Sequence, residues 1–548
     1  MMDSIPVELL RQILAWEIQM CRCEKNAIIR LRLVCHAFDV ALKPYIFKTI
    51  QLECSRFIRS ASTYKHDNRM DLGQLKGFGL FTEALYLDLM VIRDPEEIES
   101  FDNTFRGMIN KLPEVAELSE NFRRYCMGSI YFDERDFRFV LEEVLRWTPN
   151  MCRVRVNLPF QILGCKSQTA TLLFATTLEC LAKRNLEHQA IQTLVVDHLT
   201  DTALISICNN PMDLANAIKV FTSVLHLCIS TKIEESGPDR QDAFGRYLWF
   251  VIRKARALIS LCLVGWKIKK DIRSRRHDNG IRFEIWNTRS LPFSGSDSNW
   301  RFLRYLELKR VYFRPSKFIE FMKQIKTNLK ELYLVEVYLR VHHFPNDEIS
   351  GLWIGKANMN KPAESIWVAE ELREMEGLKL NILRATGLEY DVFEIDSQST
   401  DAEFDFLDPL ELNRSFDQRF VDTVIQGPEK MHPNLYKDDN LHENLSSLSE
   451  TIVFNGHINK DYTQHSILNN SLIEKFSSTP RELRDYDAET YQRSRNTTSN
   501  FKRCIDGFFF NQNEQALREL QAIVAVADRG MNLLSEEIYR TGYEDDEN

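Results

Sequence analysis

The spacing of apolar residues divides the 548-residue chain into three stretches of different character. Near the start, apolar residues recur every three or four positions in two short runs, which predicts amphipathic helices. From about residue 55 to residue 340, runs with helical spacing alternate with a short formula that predicts strands. After residue 340 this formula fades, and a final helical run follows near the end of the chain.

The first stretch predicts two short helices. In VELLRQILAWEI the apolar residues recur at helical spacing, and Pro6 stands where a first helical turn tolerates a missing N–H: Leu9, Leu10, Ile13 and Leu14. In IIRLRLVCHAF a second apolar stripe follows: Ile28, Leu31, Val34, Cys35 and Phe38. Pro44 then interrupts the pattern, and YIFKTIQL predicts an extended exit. Two such helices contain too few residues for an independent core, so we expect something else to cover their apolar faces.

This stretch, residues 3–52, resembles an F-box, the module that docks onto the Skp adaptor of SCF-type cullin–RING ubiquitin ligases. The match comprises the I-P-x-E-L-L-x-x-I-L opening, the L-R-L-V-C segment, Phe38 and the P-Y-I-F-K-T-I tail. The resemblance implies that the adaptor covers the apolar faces, with Leu9, Ile13, Leu31 and Val34 as its anchors. The full set of adaptor-binding residues that it implies is Ile5, Pro6, Leu9, Leu10, Ile13, Leu14, Leu31, Val34, Cys35 and Phe38. The alternative is that these helices cap the segment that follows them.

The middle of the chain repeats one strand formula: an apolar residue, two others, an apolar residue, one other, and an apolar residue. Its copies begin at Met151, Ile191, Val224, Leu258, Leu303 and Leu329, with a weaker copy at Leu85 and Leu87. Each copy follows a helical run, which is typical of a leucine-rich solenoid. The pattern resembles the leucine-rich-repeat part of fungal F-box proteins. An ordinary α/β domain with parallel strands remains the alternative.

The copies lack the Asn or Cys that regular leucine-rich repeats place after the strand. The corresponding positions are Leu199, Lys232, Trp266, Val311 and Val337. We therefore expect apolar packing to hold the turns, and an irregular arc because the copies are unevenly spaced.

The predicted fold class is α/β. An N-terminal all-α F-box (3–52) precedes an irregular leucine-rich-repeat-like solenoid (53–395), a partly disordered or irregular segment (396–512) and a C-terminal helix (513–540). GLKLNILRATGLEYDVFEID predicts one or two further strands, and SETIVFNG and KRCIDGFFF predict short ones. In the C-terminal helix, apolar residues recur at alternating intervals of three and four positions, but the flanking positions carry no complementary charges of the kind that pair the helices of a coiled coil. We therefore expect this helix to pack on the solenoid rather than to form a homo-oligomer.

Composition and charge narrow the function classes. A formal net charge of −9 does not suit a general nucleic-acid binder. No stretch resembles a secretory signal or a bilayer-spanning segment, so we expect no membrane association and a cytoplasmic or nuclear location. The basic cluster Lys267–Arg276 is interpreted as a solvated loop, with a nuclear import signal or a docking patch for an acidic substrate as the alternatives. Cys21, Cys23, Cys35 and His36 do not follow the usual zinc spacing, so we expect no metal.

No motif of catalysis or cofactor binding occurs in the chain. We therefore expect no enzyme activity, no catalytic residue and no cofactor. The leading hypothesis is a substrate-recognition adaptor, which binds the Skp adaptor, and through it the cullin–RING ligase, at its N-terminus and an unknown protein target along its repeats. The alternative is a stand-alone interaction scaffold that recruits no ligase.

Overall fold

A computed structural model of the chain describes the following residues: 6–20, 25–53, 75–89, 92, 94, 134–159, 167–232, 238–265, 291–292, 300–339, 350–354, 365–390, 416–426 and 452–454. The chain forms two compact units, with a boundary between Val220 and Phe221. The described residues are mixed α/β, and their strands pair in parallel with one exception.

The first unit contains the N-terminal helices and a parallel sheet. Its helices are α1 (Val7–Met20), α2 (Lys25–Arg32), α3 (His36–Ile46), α4 (Leu75–Phe78), α5 (Glu134–Trp147), α6 (Gln168–Ala182) and α7 (Asp201–Asn209), and α8 (Pro211–Thr222) reaches the boundary. Its strands are β1 (Thr49–Glu53), β2 (Ala84–Asp88), β3 (Arg153–Asn157) and β4 (Thr193–Thr200). They pair in chain order, with Thr49 opposite Ala84, Ala84 opposite Arg153 and Arg153 opposite Thr193.

The second unit contains helices α9 (Pro238–Ile252), α10 (Pro315–Ile325), α11 (Val368–Glu374) and α12 (Phe416–Gln426). Its strands are β5 (His226–Lys232), β6 (Ser260–Val264), β7 (Leu291–Pro292), β8 (Tyr305–Lys309), β9 (Val311–Phe313), β10 (Glu331–Val335), β11 (Tyr338–Leu339), β12 (Ser350–Leu352), β13 (Ser365–Trp367), β14 (Ile382–Thr386), β15 (Glu389–Tyr390) and β16 (Ile452–Phe454). The main sheet has the order β5-β6-β8-β10-β14-β16, in which β16 is antiparallel. The short strands form a second parallel sheet, β15-β11-β9-β7, and the pair β12-β13.

The strand formula is confirmed wherever the sequence repeats it. Each copy forms a strand in a parallel sheet: β2, β3, β4, β5, β6, β8 and β10. The first apolar residue of each full copy, just before its strand, is buried: Met151, Ile191, Val224, Leu258, Leu303 and Leu329. Strands β14 and β15 confirm the prediction for GLKLNILRATGLEYDVFEID.

The same hydrogen-bond arrangement recurs at the start of successive strands. One carbonyl accepts bonds from two consecutive N–H groups of the next helix–strand segment. The accepting carbonyls are Lys48, Glu83 and Cys152 in the first unit, and Leu225, Ile259, Arg304 and Lys330 in the second. The strands of each unit therefore begin at equivalent points.

The residue directly after the strand adopts a left-handed conformation in three segments of the second unit. The φ angle is 54° at Arg310, 50° at Glu336 and 62° at Gly387, and His198, inside β4, has a φ angle of 61°. We call the turns that directly follow these strands the corners. The Arg310 N–H donates to the Val335 carbonyl (2.9 Å) and the Glu336 N–H to the Thr386 carbonyl (2.6 Å), so neighbouring corners are joined through the backbone. Apolar packing also holds these turns, as expected, because Val311 and Val337 are fully buried. The sequence did not predict the backbone bonds between the corners.

The prediction of a single second helix near the N-terminus is wrong. The IIRLRLVCHAF stripe divides into α2 and α3, because Leu33 and Val34 form a turn and Cys35 is extended with φ −162°. Pro44 does not end the helix, and α3 continues to Ile46. Pro44 removes one regular bond, the one its N–H would have donated to the Val40 carbonyl, but the buried side chains of Leu42 and Ile46 hold the last turns in place.

Some predictions concern residues outside the described part of the chain. These are the C-terminal helix (513–540), the KRCIDGFFF strand, the basic cluster Lys267–Arg276, and Ile5, Cys21 and Cys23. Between residues 396 and 512, the described residues form helix α12 and strand β16.

Candidate functional site: an exposed apolar surface on the N-terminal helices

Helices α1, α2 and α3, which we call the N-terminal module, enclose an apolar core of their own. The fully enclosed side chains come from all three helices: Leu10, Leu14, Ile28, Leu42 and Ile46. Leu31 and Phe38 pack against this cluster while partly exposed. The expectation that these helices contain too few residues for a core is therefore wrong.

The module also exposes large apolar side chains that its core does not need. On α1, Leu9 is 51%, Ile13 53% and Trp16 71% exposed, and their spacing places them on one helix face. In the turn between α2 and α3, Leu33 is 79% and Val34 55% exposed. We call these five residues the exposed apolar set. Clusters of exposed apolar side chains are typical of surfaces that bind another protein.

The structure separates the sequence-predicted site residues into two groups. Leu9, Ile13, Val34 and Pro6 are exposed, whereas Leu10 and Leu14 lie inside the module. Three further residues are partly buried: Leu31, Cys35 and Phe38.

Sequence reasoning missed Trp16 and Leu33, the two most exposed residues of the set. Trp16 follows Leu9 by seven positions, so helical spacing places both on the same face. That spacing was the available signal for Trp16. Leu33 had no such signal, because the end of α2 determines its exposure.

Polar contacts fix the turn that carries Leu33 and Val34. The Asp39 carboxylate accepts a hydrogen bond from Arg32 and forms an ion pair with Lys43 at 2.9 Å. The hydrogen bond from Lys43, with that from Arg32, holds the pKa of Asp39 below its ordinary value. The backbone N–H groups of Leu33 and Val34 donate into the last turn of α2. Their side chains are therefore held outward by a structured turn.

The module is attached to the sheet of the first unit through its last residues. The rings of Phe47 and Phe78 stack with centroids 4.2 Å apart, and the Thr82 hydroxyl donates to the Phe47 carbonyl at 2.9 Å. Strand β1 follows directly and pairs with β2. The expected extended exit is thus the first strand of the sheet.

Two structural features of the described residues bear on what this surface can bind. Among them, no three His, Cys, Asp or Glu side chains lie close enough together to hold a metal ion. None of the helices in the described ranges has the length and apolar character required to cross a bilayer. What the exposed apolar set can contribute is apolar area for burial by a partner, worth about 1–3 kcal/mol for each large side chain.

Comparisons with known proteins found no match among family models, curated proteins or solved structures. The exposed apolar set and the repeated helix–strand segments are therefore the observations from which function is argued.

Proposed function

We propose that this protein is a substrate-recognition adaptor of an SCF-type cullin–RING ubiquitin ligase. In this proposal the N-terminal module is an F-box that binds the Skp adaptor through the exposed apolar set. The remaining helix–strand segments form a leucine-rich-repeat-like solenoid that binds a protein target. The chain itself makes no covalent bond.

The observation that carries the proposal is the exposure of Leu9, Ile13 and Trp16 on a module with a complete core. An amphipathic helix that only capped the sheet would turn its apolar face inward. Here α1 has apolar residues on two sides, and only the side of Leu10 and Leu14 is used within the module. The other side is available to a second polypeptide, with Trp16 as its largest side chain.

The repeated corners support the second part of the proposal. Equivalent hydrogen bonds recur at the start of successive strands, and left-handed residues follow β8, β10 and β14, which is the regularity expected of stacked repeats. Such a frame holds a target near the conjugating enzyme of the ligase. Its contribution to catalysis is then a raised effective concentration of the target's lysines.

The test is co-purification of the full-length chain with purified Skp adaptor. The double variant Leu9→Asp with Val34→Asp introduces two charges into the exposed apolar set without touching the core. We expect adaptor binding to fall by at least 100-fold, because a charge buried in an apolar interface without a partner is strongly unfavourable. Circular dichroism and the thermal midpoint remain those of the wild type, because both side chains are more than half exposed.

A matched control places the same charges on other exposed apolar residues of the first unit. Phe139 and Leu186 are 54% and 91% exposed, and neither belongs to the N-terminal module. Phe139→Asp with Leu186→Asp retains wild-type adaptor binding. Equal binding by all three proteins contradicts the proposal and favours a stand-alone interaction scaffold.

A further inference from the structure

A groove of about 910 Å³ lies between the N-terminal module and the loops that lead into β2, β3 and β4, entirely within the first unit. Helix α1 contributes Leu10 and Arg11 to it. Helix α3 contributes its small and apolar residues: Ala37, Val40, Ala41, Pro44 and Tyr45. The facing loops contribute Lys48, Leu80, Phe81, Glu83, Asn150, Cys152 and Gln189.

The groove lies on a different side of α1 from the exposed apolar set. Arg11 follows Leu9 by two residues, which corresponds to a rotation of about 200° around an α-helix. Leu9, Ile13 and Trp16 lie within an arc of about 60° around the helix axis, so Arg11 points away from all three. A protein bound to Leu9, Ile13 and Trp16 therefore contacts a side of α1 different from the side that lines the groove.

The walls of the groove present apolar area to solvent. Val40 and Leu80 are more than half exposed, and Phe81 is over a third exposed. Ala37 and Ala41 lie one turn apart on α3, and their short side chains leave room against the helix backbone. This arrangement accommodates a bulky apolar side chain between α3 and the turn at Leu80.

Three polar groups of the groove have no side-chain hydrogen bond or ion pair among the described residues: the Arg11 guanidinium, the Tyr45 hydroxyl and the Gln189 amide. By contrast, Lys48 is paired with Glu83 at 3.5 Å, and the Asn150 amide donates to the Leu80 carbonyl at 2.7 Å. Arg11 is thus a positively charged residue of the groove that forms no ion pair with any described residue. A ligand that pairs a carboxylate with an apolar side chain complements this arrangement.

We propose that the groove binds a short peptide segment of another protein, in which an acidic residue accompanies a bulky apolar one. The apolar side chain packs against Ala37, Ala41 and Leu80, and the carboxylate forms an ion pair with Arg11. Tyr45 and Gln189 bond the peptide backbone. The binding itself does not depend on the ligase assignment, and its role in selecting a ubiquitination target rests on the proposed function.

The shape and charge of the groove favour a peptide over other ligands. A nucleic acid is held by several cations along its phosphates, whereas the described lining offers Arg11 and a lysine already paired with Glu83. The exposed apolar walls at Val40 and Leu80 leave the groove open, so a chain can enter and leave it. Small-molecule sites bury most of their ligand's surface, which this open groove does not do.

The test uses a phage-displayed library of twelve-residue peptides panned on the immobilised full-length protein. We expect enrichment of sequences that combine Asp or Glu with a large apolar residue. The enriched peptide and its amide version, with Asn or Gln for the acid, are then measured by fluorescence anisotropy. We expect Arg11→Glu to weaken binding of the acidic peptide at least tenfold and binding of the amide version less than twofold. This difference would locate the peptide carboxylate at Arg11.

Charge reversal at Arg30 is the matched control, because Arg30 is an exposed arginine on α2 that does not line the groove. Arg30→Glu leaves both peptides at wild-type affinity. Leu80→Asp, at an exposed position, weakens the binding of both peptides without affecting the fold. Panning that enriches no apolar–acidic sequence, or peptides that bind Arg11→Glu and Leu80→Asp as tightly as the wild type, overturns the proposal.

Adaptor binding, measured on the same variants, separates this proposal from the proposed function. Arg11→Glu and Leu80→Asp retain the Skp adaptor if the two surfaces are independent. Leu9→Asp with Val34→Asp retains the peptide. Peptide binding without any adaptor binding contradicts the ligase assignment and leaves the groove assignment intact.

Discussion

Arg155 and Asp197 form an ion pair inside the first unit, with the Arg155 Nε 3.0 Å from the Asp197 Oδ2 and both side chains 3% exposed. The pair joins the adjacent strands β3 and β4. The Arg155 guanidinium also lies 4.9 Å from the centre of the Tyr86 ring on β2. Burial of this ring, opposed in part by the Arg155 charge, raises the pKa of Tyr86. Three neighbouring strands are therefore linked through one arginine.

Replacing Asp197 by Ala removes the carboxylate and leaves the Arg155 charge buried. We expect a loss of about 3–5 kcal/mol in the free energy of unfolding, because removing one partner of a buried ion pair is strongly destabilising. Urea unfolding of the full-length chain, followed by circular dichroism, measures the change. Arg146→Ala breaks the ion pair with Glu143, whose arginine is 64% exposed, and costs under about 1 kcal/mol. Equal losses for the two variants would show that Asp197 is not an essential partner of Arg155.

Gly79 and Gly77 provide a closely matched pair of substitutions. A Cβ atom on Gly79 would lie 2.1 Å from the Trp147 carbonyl oxygen, whereas one on Gly77 meets nothing within 4 Å. We expect Gly79→Ala to lower the free energy of unfolding by about 1–3 kcal/mol, because the turn after α4 must move away from the end of α5. Gly77→Ala is neutral or slightly stabilising, since Ala is the better helix former. Differential scanning fluorimetry of the two variants measures the difference, and equal midpoints contradict the close approach at Gly79.

We expect Glu331 to make the stability of the second unit depend on pH. Burial raises the pKa of Glu331 to about 7, although the Tyr333 hydroxyl donates to its carboxylate at 2.9 Å. Because the folded protein binds this proton more tightly than the unfolded chain, the stability that it contributes is present at low pH. That contribution is lost as the pH rises from about 4.5 to about 7.

The variant Glu331→Gln keeps an acceptor for Tyr333 but carries no titratable proton. We expect the wild type to lose up to about 3 kcal/mol between pH 5 and pH 7.5 through this group, and the variant to lack that slope. Burial lowers the pKa of Lys309 to about 8, so Lys309 starts to lose its proton in the folded state only near pH 7.5 and adds a small slope that wild type and variant share. Urea unfolding at several pH values measures the difference between wild type and variant. Parallel profiles for the two proteins contradict the assignment to Glu331.

The strands could be predicted from the sequence more reliably than the exposed surface. A strand formula that returns at Val154, Leu194, Leu261 and Leu332 reflects a local requirement, since successive side chains of a strand point to opposite faces and those that face an apolar core must be apolar. The polar members of those strands, such as Arg155 and Glu331, carry no comparable signal. Their burial depends on partners from other strands and on neighbouring side chains.

The division between local and tertiary information is clearest at Leu9 and Leu10. The sequence by itself determined that both belong to an apolar helix, because helical spacing is a property of consecutive residues. Only the tertiary structure decided that Leu10 enters the core while Leu9 stays exposed, because α2 and α3 pack on one side of α1. The split of α2 from α3 at Cys35 and the groove beside Arg11 were likewise decided by packing between segments, whose geometry no single stretch of sequence contains.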